Sequence, residues 1–165
     1  MSIHSVRSPS VALALGGPVV LGLALGLPFG LKAALGRAAF LPALVLGLAL
    51  AMAPALYIAL SLAHAAPPAA HVAGSIGSSL RAAGTVMAGL APATAFLATT
   101  SPSRLVVLGL GIVSVASAML VGLRALADEL FGASELRARG VAVLVPWAAV
   151  ALGLGAHLFV TTLAS

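Results

Sequence analysis

Cysteine is absent from the 165 residues, which removes disulfide frameworks, thiolate metal sites and cysteine nucleophiles from consideration. Charge is scarce as well. Only 7% of the residues are charged, against about 25% in soluble domains, and a water-soluble coat cannot be assembled from so few. Acids are the rarest: Asp128, Glu129 and Glu135 stand against eight lysines and arginines, for a formal charge of +5. In a soluble protein that surplus would point to nucleic acid. Here the bases are scattered singly between apolar runs, aromatics make up 4% of the chain, and there is no helix-turn-helix, zinc knuckle or stacking surface. Nucleic-acid binding is therefore excluded as a reading.

What the chain has in abundance is oil and glycine. Hydrophobic residues reach 62%, glycines number 18, and mean hydropathy is +1.22. The run RLVVLGLGIVSVASAMLVGLR, residues 104–124, places an arginine at each end of an uncharged stretch. At 1.5 Å per residue that stretch is about 28 Å long, close to the ~30 Å hydrocarbon core of a bilayer. Repeating this reading along the chain predicts an all-α, polytopic transmembrane helical bundle. It forms a single transmembrane domain over residues 1–165 with about five spans: 11–31, 38–62, 82–100, 105–123 and 141–163. The lipid bilayer is then its first partner.

The first run has a competing reading as a signal peptide, with Arg7 before it and small residues near LGRAAF after it. Its length and the prolines Pro18 and Pro28 favour a retained span. Pro42 and Pro54 fall inside the second span, where membrane helices tolerate proline as a kink. The stretch AHAAPPAAHVAGSIGSS, residues 63–79, reads as the main linker. The third span carries Thr85, Thr94, Thr99 and Thr100, whose hydroxyls can bond back to carbonyls of the preceding turn, so it is expected to be interior. Trp147, near the start of the fifth span, suits an interface belt. With five spans, Arg7, Arg81, Arg124, Arg137 and Arg139 fall on the N-terminal side and Lys32, Arg37 and Arg104 on the other. That bias favours a cytoplasmic N-terminus.

Small residues mark the expected helix contacts. Gly22, Gly26 and Gly30 recur every fourth residue in the first span, and Ser114, Ala118 and Gly122 do so in the fourth. Gly153 belongs to a similar row, Ala149, Gly153, His157 and Thr161, in the fifth. Such stripes let membrane helices approach closely, within one chain or between chains. The segment 124–139, RALADELFGASELRAR, is a candidate interfacial helix. Arg124/Asp128 and Glu135/Arg139 are its i,i+4 pairs, and Arg124, Asp128, Glu129, Glu135, Arg137 and Arg139 are candidate contacts to a partner or to headgroups. The competing reading is a solvated connector broken at Gly132.

The search for chemistry returns no catalytic, cofactor-binding or metal site. Asp128 and Glu129 are adjacent and diverge on a helix, which makes a poor acid/base pair. GSIGSS at residues 74–79 lacks a nucleophile elbow. GLGIVS at 109–114 lies mid-span with no strand before it, unlike a dinucleotide loop. His157 is the one ionisable group well inside a span and so a candidate functional residue by default. Haem ligation would need a second intramembrane histidine, and His4, His64 and His71 all lie outside the spans, so no cofactor is expected.

The segments FLPALVLGLALAMAPALYIALSL and MAGLAPATAFLATTSPS, followed by a glycine-rich span ending in GLRAL, resemble an uncharacterised family of small multi-pass bacterial inner-membrane proteins. The matching positions are Pro54, Leu56 and Tyr57, then Ala91, Pro92, Phe96 and residues 99–101. The likeness covers roughly residues 40–126 and implies a bacterial cytoplasmic-membrane location without an activity. A looser likeness to Yip1-type five-span proteins rests on span number and size alone. Two functions fit. One is a non-enzymatic subunit that self-associates or joins other membrane subunits as a scaffold or accessory component. The other is a small oligomeric channel or transporter whose polar path is lined by Thr85, Thr94 and His157.

Overall fold

The computed structural model describes residues 9–101, 103–132 and 137–164. Among the described residues there are five α-helices, α1 (Pro9–Gly26), α2 (Leu31–Leu62), α3 (Ala69–Thr100), α4 (Arg104–Phe131) and α5 (Arg137–Ala164), with a 3-10 turn, Leu27–Phe29, after α1. No strand occurs among the described residues. Four helices among the described residues, α2 to α5, are long and apolar enough to cross a membrane. Leu50 and Leu105 are 75% and 79% exposed, and large apolar residues cover much of the outer surface of the bundle, as contact with lipid requires.

Several element ends differ from those expected. The first apolar run does not continue to residue 31. It forms a shorter segment, Ala14–Phe29, because Pro28 brings no N–H and Gly30, at φ 92, turns the chain. Residues 32–37, expected as a connection, are already the first turns of α2. The expected linker shrinks to residues 63–68, since α3 starts at Ala69. Pro68 sets this start, and its carbonyl accepts from the N–H groups of His71 and Val72. The glycines and serines that read as turn formers stay helical because the hydroxyls bond inward: Ser75 donates to the His71 carbonyl at 3.0 Å and Ser78 to that of Ser75 at 2.9 Å. The expected interfacial helix at 124–139 is not separate over its described part. α4 runs on through Phe131 and stops at Gly132, whose φ of 45 suits glycine. Glu135 lies outside the described residues, so the Glu135/Arg139 pair is not seen.

α1 packs along α3 and against the first half of α2, α3 pairs with α4, and α5 closes the bundle against α2 and α4. Two buried clusters fill the interior. One holds Leu21, Leu25, Leu41, Met87, Val107 and Phe159. The other holds Leu56, Leu60, Leu126, Phe131 and Leu144.

The charges fall at two levels. Arg37 and Arg104 line one recess together with Thr162, at the end where α2 and α4 begin and α5 finishes. A Cβ on Gly122 would lie 3.1 Å from the Ser79 carbonyl oxygen and 3.2 Å from the Ala83 side chain, which brings Arg81 and Arg124 close to a common level. Arg104 and Arg124 are twenty residue steps apart in α4, or about 30 Å at 1.5 Å each, the thickness of a hydrocarbon core. Beyond the second level the helices continue around the Leu56/Leu126/Phe131 cluster.

Candidate interaction surfaces, recess and cavity

Glycine brings the helices of this chain together. A side chain on Gly22 would run into the backbone of Arg37 and Ala38, and one on Gly26 into that of Ala33 and Ala34. Gly17, which carried no periodic signal, abuts the backbone of Gly84. Gly30 belongs to the turn and has open space around it. On α4, Ser114, Ala118 and Gly122 are all buried and face α3. α4 and α5 interlock reciprocally, Phe159 filling the gap at Gly111 and Phe131 the gap at Gly140. The Gly22/Gly26 and Ser114/Ala118/Gly122 faces are therefore used within the chain.

The three residues proposed for a polar path are not brought together. Thr85 is exposed and its hydroxyl donates back to the Arg81 carbonyl at 2.9 Å. Thr94 is buried and paired with Ser114, their hydroxyl oxygens 3.3 Å apart. His157 lies on the outer side of α5 with Ala149, Gly153 and Thr161, all exposed. A Cβ on Gly153 would meet nothing within 4 Å. The Thr161 hydroxyl donates to the His157 carbonyl at 2.9 Å; the His157 ring itself makes no hydrogen bond among the described residues.

At the Arg124 end, Arg124 Nε stands 4.0 Å from Asp128 Oδ2, the i,i+4 pair expected, on an exposed surface. Glu129 reaches α3: Ser78 donates to its carboxylate, and His71 Nε2 lies 3.4 Å from its carbonyl oxygen. Arg139 is exposed; the side chains of Glu135 and Arg137 lie outside the described set. Trp147 turns its indole N–H inward to the Met52 carbonyl at 3.0 Å, tying α5 to α2.

Two hollows remain. One is a cavity of about 100 Å³, lined mostly by apolar residues such as Leu48, Met87, Met119 and Leu126, with Ser79 among them. The other is the recess of about 530 Å³ among Phe29, Ala33, Gly36, Arg37, Phe40, Arg104 and Thr162. Arg37 is held at its edge by two contacts that the sequence did not disclose. Its Nη1 donates to the Leu25 carbonyl near the end of α1, and its guanidinium lies over the Phe29 ring, 4.6 Å from the centroid. No cluster of three or more metal-ligating side chains occurs among the described residues.

Taken together, these features define an all-helical, multi-span membrane protein. Comparison with protein-family models, curated proteins and solved structures finds no match to this chain.

Proposed function

We propose that the chain is a non-enzymatic integral membrane subunit that associates with another membrane helix through the outer face of α5, as a scaffold or accessory component. The observation that carries this reading is the row Ala149, Gly153, His157 and Thr161. It combines small residues, open space at Gly153, and an imidazole facing outward within the apolar zone. Polar groups in lipid are costly unless partnered, and small residues are what allow a second helix to come close enough to partner them. The Gly22/Gly26 and Ser114/Ala118/Gly122 faces are used within the chain, whereas this row, which also carries the imidazole, is open.

The test is the mass of the particle extracted in a mild detergent, with its composition. An assembly larger than the 16.1 kDa chain, broken down by Gly153→Leu and by His157→Leu, supports the reading. A particle holding one copy and no other protein overturns it. A channel formed by several copies is the second reading, favoured by the same exposure of His157 and Thr161, which such an assembly would place around a shared axis. Solute or ion flux in proteoliposomes that is lost in His157→Leu distinguishes it from a scaffold. For location we propose the bacterial cytoplasmic membrane with the N-terminus inside, supported by the excess of arginine at the Arg81/Arg124/Arg139 end and by the likeness to small bacterial inner-membrane proteins.

A further inference from the structure

The two buried clusters are separate, and the cavity of about 100 Å³ draws its walls from both. Ala83, Met87 and Val115 go with the first cluster; Ile76, Leu126 and Trp147 go with the second. Protein interiors are otherwise close-packed, with few voids larger than a water molecule. Helices α2 and α3 follow one another in the chain yet make little contact, and both line the cavity. The lining is long for so small a volume. On α3 it runs from Ile76 to Met87 and on α4 from Val115 to Leu126, eleven residue steps in each case, or about 16 Å at 1.5 Å per step. Its Leu126 end is level with Arg124, and its Val115 end lies nine steps from Arg124, about 13 Å further into the apolar zone. A slot of this shape suits a chain better than a ring, and it follows the course of an acyl chain running inward from its headgroup.

We propose that this cavity holds part of one acyl chain of a membrane phospholipid. None of the described residues lining it is charged, and the Trp147 N–H beside it is already given to the Met52 carbonyl. Water needs two to four polar partners to stay in such a space, and apolar cavities remain dry and take apolar guests. In a bilayer the apolar molecule in large excess is the lipid, so mass action fills the site even at modest affinity. The walls suit a guest of variable shape. Met52, Met87 and Met119, three of the four methionines in the chain, line the cavity from α2, α3 and α4, and unbranched thioethers adapt to irregular gaps. Leu44, Val45, Met52, Leu80, Met119 and Leu123 are only half-buried, so the walls reach toward the surrounding hydrocarbon. The site is separate from the outer row of α5, and the proposal does not depend on association there.

The full-length protein is reconstituted in phosphatidylcholine nanodiscs that include a phosphatidylcholine with a photoreactive diazirine on its acyl chain. After irradiation and digestion, mass spectrometry locates the labelled residues. Wild type is labelled at Met52 and Met119 on the cavity wall, and also at the outward leucines Leu50 and Leu120, which are 75% and 61% exposed. Ala49→Phe and Ala151→Leu each add bulk at the lining. Each lowers labelling of Met52 and Met119 about tenfold and leaves Leu50 and Leu120 labelled as before, with a thermal-melting check that the variant folds. The wild-type map needs no variant: labels on the outward leucines without any at Met52 and Met119 overturn the proposal. Wall labelling that stays unchanged when a folded variant fills the cavity overturns it as well, since the chain would then be reaching those residues from outside.

Discussion

At Gly17 a single hydrogen atom decides whether α1 can lie against α3, because any side chain there would enter the backbone of Gly84. Backbone cannot move aside as the end of a flexible side chain can, so overpacking is expensive at this point. Gly17→Leu is expected to cost about 2 kcal/mol or more, read as a lower midpoint in a detergent unfolding titration. Gly153→Ala, in open space, is expected to stay within about 0.5 kcal/mol of wild type. The Thr94–Ser114 pair makes a smaller claim. Interhelical hydrogen bonds in lipid average about 0.6 kcal/mol, and a cycle of Thr94→Val, Ser114→Ala and the double variant should return a coupling of that size. Gly22 and Gly26 were legible from their four-residue spacing. Gly17 was not, since its partner is distant in sequence and no period connects them.

The helix ends obey local rules that were read only in part. α2 closes with Ala63 and then His64 at φ 53. The His64 N–H donates to the Ser61 carbonyl at 3.1 Å and the Ala65 N–H to that of Leu60 at 2.9 Å, the pair of bonds that defines a Schellman ending. Glycine normally takes the left-handed position, and a side chain there carries strain. His64→Gly is therefore expected to stabilise the fold by about 1 kcal/mol, seen as a raised unfolding midpoint. α5 and α2 are joined by the indole bond from Trp147 to Met52. Trp147→Phe keeps an aromatic ring but loses the bond and part of the indole volume, with an expected cost of at least about 1 kcal/mol. Sequence reading placed Trp147 in an interface belt by residue type, and its inward bond to α2 could not be seen without the neighbouring helix. The linker reading of residues 63–79 failed for a related reason: serines and glycines favour turns in water, but hydroxyls that bond back to their own helix hold it together where packing excludes the alternatives.

For the whole molecule, the decisive quantity is the separation of the two arginine levels, about 30 Å along α4, which matches a hydrocarbon core. The chain lacks cysteine, so single replacements report sidedness cleanly. Ala66→Cys, in the loop before α3, and Ser101→Cys, in the loop after it, are expected to react with an impermeant maleimide from opposite faces. With the proposed orientation, only the Ser101→Cys protein is labelled in intact cells. Labelling of both from one face would show that α3 does not cross.

Composition alone determined the solvent: with 7% charge and 62% hydrophobic residues, only lipid can surround most of this surface, and in lipid a chain must close its backbone hydrogen bonds as helices or a barrel. Runs of about twenty apolar residues then settled helices and their approximate number. Only the tertiary structure decided which glycine faces are used up inside the chain, that the α5 row is left outside, and that Arg37 and Arg104 share one recess. The physical reason is that hydropathy and spacing are properties of one segment. A helix contact or a pair of converging cations is a property of two segments far apart in sequence, whose relative rotation and depth are set by close packing.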